Sequence, residues 1–140
     1  MFFNSSKKIF EILDISPDIP FIKSDKKITH GSIEFKNVNF KYYSNGEKNV
    51  LDNISFKINP GETLGIIGPT GSGKSTIAKL ISHDFKIESG EILIDNNNIN
   101  EIDSNSLNNN ISHVYQIPLI LSGTIKSNLL FWSNLGISSN

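Results

Sequence analysis

Cysteine and arginine are both missing from this 140-residue chain, and methionine and tryptophan occur once each. Without cysteine there can be no disulfide and no thiolate-held metal, which argues against zinc and fits a reducing compartment. Thirteen lysines against fourteen acidic residues leave a net charge of −1, so the chain carries no electrostatic footprint for nucleic acid or anionic lipid. No uninterrupted apolar stretch approaches bilayer-spanning length, and the opening MFFN is too short for a signal sequence. A soluble or peripheral chain is expected, of a length that suits one domain with a real core. Asparagine is abundant, with tracts at 96–98 and 108–110; together with the absent arginine this reads as codon bias.

What is present is dominated by residues 68–76, GPTGSGKST, a complete phosphate-binding loop. Residues 63–67 (TLGII) have the length and β-branched content of a buried strand, so the glycines are expected to open where a strand ends. Ile77, Ala78, Leu80 and Ile81 recur at helical spacing, which puts Lys74, Ser75 and Thr76 in a first helical turn and ends the helix near His83. Gly71 and Gly73 let successive N–H groups point inward at an anion. The helix N-terminus favours the same charge. Lys74 is expected to reach the β- and γ-phosphates of a nucleotide, Ser75 to ligate magnesium, and Thr76 to reach the α-phosphate.

Elsewhere, residues 7–13 (KKIFEIL) read as a short amphipathic helix stopped by Pro17 and Pro20, followed by a surface linker to His30. A domain is expected to start near Gly31. Ile33, Phe35, Val38 and Phe40 and the stretch 50–58 suggest an antiparallel pair joined by a turn at 44–46. Pro60 and Gly61 form a tight turn. Residues 90–95 alternate as a strand, with Asn97 the expected positive-φ residue of the turn after it. Asp103 or Ser104 could cap a short helix over 106–109, and 111–116 read as a further strand.

These motifs, in this order, resemble the nucleotide-binding domain of an ATP-binding cassette (ABC) transporter of the exporter kind, over nearly the whole chain. IEFKNVNFKY resembles the opening strand, VLDNISFKINPGETLGIIGPTGSGKST the run through the Walker A loop, SGEILIDNNNI the next strand, and VYQIPLILSGTIKSNLLF the Q-loop with its exporter-type continuation. Asn97 stands where the family usually has glycine. The implied fold is α/β, a P-loop NTPase core with a small antiparallel β subdomain, truncated before the helical subdomain. Residues 1–30 would be the linker and short helix following a transmembrane domain, and 31–140 a partial nucleotide-binding domain.

The resemblance implies roles residue by residue. Tyr42 matches the aromatic that stacks on adenine, with Tyr43 facing away along an extended segment; spacing alone is equally compatible with strand packing. Val50 matches a residue beside the base and reads equally well as core. Thr70, Gly71, Ser72, Gly73, Lys74, Ser75 and Thr76 would hold ATP. Gln116 matches the glutamine that contacts Mg2+ and the attacking water, making Lys74 and Gln116 a partial catalytic set and Ser75 and Gln116 the metal-side contacts. Residues 122–126 would lie near the coupling helices of a membrane-spanning domain. Leu121, Ser122 and Gly123 follow Gln116 too closely to begin the family's LSGGQ signature. None of His30, His83 and His113 matches the family's switch histidine.

The family's signature, its Walker B motif with the catalytic glutamate, and its switch histidine are expected after Asn140. The sequence as it stands therefore predicts one face of an ATP site with no matched general base. Turnover by the chain alone is not expected, and an apolar sheet edge beside 63–67 is. The implied partners are ATP, a second nucleotide-binding domain (homo- or heterodimer) and the membrane domain, at the cytoplasmic face of a membrane, with no nucleic acid. The alternative function is a non-catalytic nucleotide-binding fragment acting through a partner chain, or a decayed gene product. An unrelated phosphate-loop kinase or GTPase lacks support around Tyr42 and Gln116.

Overall fold

The computed structural model describes residues 19–42, 48–114 and 120–128. The helix expected over 7–13, the turn at 44–46, Tyr43 and Gln116 lie outside the described residues.

Strands β1 (Ile33–Phe40), β2 (Leu51–Ile58), β3 (Ser89–Ile94) and β4 (Asn97–Asn98) form one antiparallel sheet in the order β2-β1-β3-β4. The expected pairing of 33–40 with 50–58 is present, with Phe35 opposite Phe56 and their rings stacked at 4.5 Å. Phe35 and Val38 are three residues apart, which strict alternation would send to opposite faces. A bulge resolves this. Asn37 and Asn53 take positive φ of 49° and 51°, the register shifts between Phe35 and Val38, and both side chains are buried with Phe40. The bulge is held by the Asn37 amide donating to Asn53 Oδ1 at 2.8 Å and by Asn53 N–H donating to Asn39 Oδ1 at 2.8 Å.

Helix α1 (Lys74–Ile81) buries Thr76, Ile77 and Leu80, the three-and-four spacing that the sequence predicts, and Ala78 and Ile81 are half-buried. Ile77 and Leu80, with Ile81 packed against them, join Phe35, Val38, Phe40, Leu51, Ile92 and Ile94 in one core, which extends through the 3-10 turn Ile99–Glu101 to Ile102 and Leu107. Helix α2 (Ser104–Asn110) is capped by Asp103, whose carboxylate accepts from Ser106 N–H at 3.0 Å. Asp103 is one of the two caps expected from sequence, and the helix runs two residues further at its start and one further at its end than the expected 106–109.

Three expectations are corrected. Residues 63–67 are not a strand: no ladder forms along them, and Leu64, Ile66 and Ile67 are exposed at 44%, 40% and 99%. An open cleft of about 290 Å3, lined by Phe56, Ile58, Leu64, Ile66, Ile77 and Ile81 among others, separates this run from β2 and α1. A strand is defined by its neighbour, and among the described residues none lies beside it. Of the strand expected over 111–116, residues 111–114 have no pairing among the described residues, and 115 and 116 lie outside them. The turn after β3 uses Asp95 (φ 51°) and Asn96 (φ 63°), while Asn97 is already in β4 opposite Ile94.

Residues 22–32 run along the surface of the domain, tied to α2 and to the turn after β3. Ser104 Oγ accepts from Ile22 N–H at 2.8 Å, Ser106 Oγ accepts from Ile28 N–H at 3.0 Å, and Asp103 and Ser104 N–H donate to the carbonyls of Lys26 and Ile22. Asp95 closes the seam. Its Oδ2 accepts the N–H groups of Thr29, His30 and Gly31 at 2.7, 2.8 and 3.1 Å, and its Oδ1 accepts that of Ser32 at 2.9 Å. Desolvation would raise this carboxyl's pKa; the four main-chain donors outweigh it and hold the group well below the usual carboxylate range.

Candidate functional site

The loop 68–76 leads straight into α1, so the strand-independent half of the expected arrangement is in place. Gly73 is the N-cap, with φ 88° and ψ 4°, and no side chain caps the helix. A Cβ there would sit 2.7 Å from Leu51 Cδ2 and 3.0 Å from the Val50 carbonyl oxygen, so both the backbone angle and the space demand glycine. Among the described residues, the N–H groups of Gly71, Gly73, Lys74 and Ser75 donate to no backbone carbonyl and no side chain. They form an uncapped cluster of donors at the positive end of a helix dipole.

Lys74 extends back along the loop. Its Nζ donates to the carbonyls of Gly68 (2.8 Å) and Pro69 (2.6 Å) and lies 3.3 Å from Ser72 Oγ. Thr70, Ser72 and Ser75 are exposed on the loop and first turn. Thr76 is buried, and its hydroxyl meets that of Tyr42 at 3.0 Å. Tyr42 lies two residues beyond the end of β1 and is 38% exposed. Val50 packs partly buried against the core and donates its N–H to the Phe40 carbonyl at 2.8 Å.

The structure thus brings Tyr42, Val50 and 70–76 together. It says nothing of Gln116. Two residues around Tyr42 were missed in the sequence. Lys79 holds its Nζ 5.7 Å from the Tyr42 ring centroid and 5.8 Å from that of Phe85, and Phe85 meets Tyr42 edge-on with centroids 5.2 Å apart. Lys79 had a signal, three residues after Thr76 on the same helix face. Phe85, beyond the helix end, had none.

A chemistry follows from the arrangement. Free main-chain donors at a helix N-terminus, with a lysine ammonium on the same loop, suit a polyphosphate; an exposed aromatic ring tied to the same helix suits a planar base.

Comparison with known proteins decides the family. Residues 51–137 match the family model described as ABC transporter. The chain belongs to the ABC transporter family. An export ATP-binding/permease protein of Rickettsia bellii is 44% identical over 126 residues, covering 89% of this chain and 22% of the relative. The mitochondrial ATP-dependent permease MDL2 of Saccharomyces cerevisiae is 38% identical over 128 residues, covering 91% and 17%. Among solved structures, a bacterial Atm1-family ABC exporter with ATP bound superposes with a TM-score of 0.80 at 27% identity, over 92% of this chain and 23% of that one. The chain therefore spans about a fifth of the length of these ABC exporters, and its fold is that of their ATPase domain. Within that fold, the regular strands among the described residues are its antiparallel part.

Proposed function

We propose that this chain binds MgATP as the phosphate-gripping part of an ABC exporter, where nucleotide binding and hydrolysis drive transport in the complete assembly. The carrying observation is the set of N–H groups of Gly71, Gly73, Lys74 and Ser75 that donate to no partner among the described residues, with the Lys74 ammonium beside them. Lys74 would exchange the Gly68 and Pro69 carbonyls for β- and γ-phosphoryl oxygens. Thr70, Gly71, Ser72 and Gly73 would line the cradle, Thr76 would serve the α-phosphate, and Tyr42, beside Val50, would take the base.

Magnesium fits the donor set as a hydroxyl ligand plus phosphate oxygens: Ser75 would hold it, with Gln116 as a second contact. Held there, the ion would supply charge neutralisation for the polyphosphate. The further partners of this reading are a second nucleotide-binding domain, which completes the site, and a membrane-spanning domain at whose cytoplasmic face the chain would lie. Among the described residues, no helix is long and apolar enough to cross a membrane.

Isothermal titration of the chain with ATP and magnesium tests the reading. Micromolar-range binding that Lys74→Ala weakens by about 100-fold is expected, on the scale of one charge-assisted contact set. Absence of heat with wild-type protein that melts cooperatively would overturn it.

A further inference from the structure

We infer that Phe85 is a positioning residue for the base, acting through Tyr42. The inference deepens the MgATP reading and rests on it.

Tyr42 has little regular backbone to fix it, because β1 ends at Phe40. Its ring is nevertheless met from three elements. Phe40, at the end of β1, touches it at a centroid distance of 5.0 Å and an interplanar angle of 83°. Thr76, in α1, joins its hydroxyl at 3.0 Å. Phe85, past the exit of α1, contacts it at 5.2 Å and 88°, and also leans on Phe40 at 5.8 Å. Edge-to-face contacts of this kind are directional, since the positive ring edge seeks the negative face. Two such contacts and a hydroxyl bond leave the ring little freedom to swing.

The three supports differ in what else they do. Phe40 is 1% exposed and belongs to the core, and Thr76 belongs to the phosphate helix. Phe85 is 36% exposed, outside any helix or strand, and its principal aromatic contacts are to Phe40 and Tyr42. It flanks an open cleft of about 590 Å3 that Tyr42 also lines. Lys79 caps the pair with its ammonium over both rings. Phe85 is thus placed to set the angle of the exposed tyrosine without touching the phosphate loop. Orientation of the stacking surface before the base arrives reduces the cost of binding.

The test is a double-mutant cycle on the full chain, read by titration with MgATP and, in parallel, with magnesium tripolyphosphate, which has no base. Phe85→Ala is expected to weaken MgATP by roughly three- to ten-fold, to leave tripolyphosphate unchanged, and to have no further effect in a Tyr42→Ala background; Phe85→Tyr is expected to restore wild-type affinity. Equal weakening of both probes, an unchanged MgATP affinity, or a full Phe85→Ala effect on top of Tyr42→Ala overturns the inference. Failure of the MgATP reading looks different: wild-type protein then binds neither probe.

Discussion

Asp95 accepts the main-chain N–H of His30 at 2.8 Å, although 65 residues separate them. The bond is one of four that this carboxylate receives from consecutive residues of the entering segment, and hydrogen bonds to a charged acceptor contribute about 1.5–3 kcal/mol each in favourable cases. Asp95→Asn keeps the shape but turns an NH2 group toward donors. A loss of about 2 kcal/mol in urea unfolding is expected.

The same carboxylate sets a pH dependence. Its native pKa is depressed, so below the ordinary Asp value of about 3.9 the unfolded chain takes up a proton that the native one resists. Its stabilisation is present in full above that value and lost as pH falls toward the native pKa. The stability gap between wild type and Asp95→Asn should therefore be constant from pH 7 to 5 and shrink below about pH 4. A gap that widens on acidification contradicts the assignment.

Gly73→Ala places a methyl group against Leu51 and the Val50 carbonyl at a φ of 88°. Relief requires the loop to open away from β2, at a cost of about 1–3 kcal/mol. Thermal unfolding should report that cost. Titration should show weaker triphosphate binding as the Gly73 amide moves.

Leu80 is 0% exposed in the core face of α1. Leu80→Ala is expected to cost about 2–5 kcal/mol, the range for a cavity that surrounding residues fill only in part. Chemical denaturation measures it directly.

Ile67 is 99% exposed, at the end of an unpaired apolar run. Ile67→Lys should shift stability by less than about 0.5 kcal/mol while reducing self-association, since an exposed apolar segment is a template for intermolecular contacts. Sedimentation velocity across a concentration series reads the second effect. A large drop in melting temperature would mean that this side chain is covered in solution.

Local signals were the legible ones. Ile77 and Leu80 define the buried face of α1 by spacing alone, Asp103 is one of two candidate caps for α2, and the extended apolar runs at 33–40 and 50–58 on either side of a turn specify a pair. Residues 63–67 were misread because apolar, β-branched composition reports a preference for burial, while a ladder needs a partner strand. The turn after β3 falls one to two residues before Asn97 because several asparagines in a row tolerate positive φ; the register of Ile94 against both Ile33 and Asn97 makes the choice, and register is a tertiary property. At the site, the phosphate loop and Tyr42 could be named from spacing. Phe85 could not, since nothing local links it to a residue 43 positions earlier.

The contacts that fasten residues 22–32 reach mainly for peptide groups: serine hydroxyls and the Asp95 carboxylate take N–H groups, and carbonyls are taken in return. Such a seam depends little on most of the side chains that run through it, Gly31 at φ 80° and the Ser32 hydroxyl apart, and is intolerant of any imino acid at a donating position. Many substitutions in that stretch should leave its course over the domain unchanged.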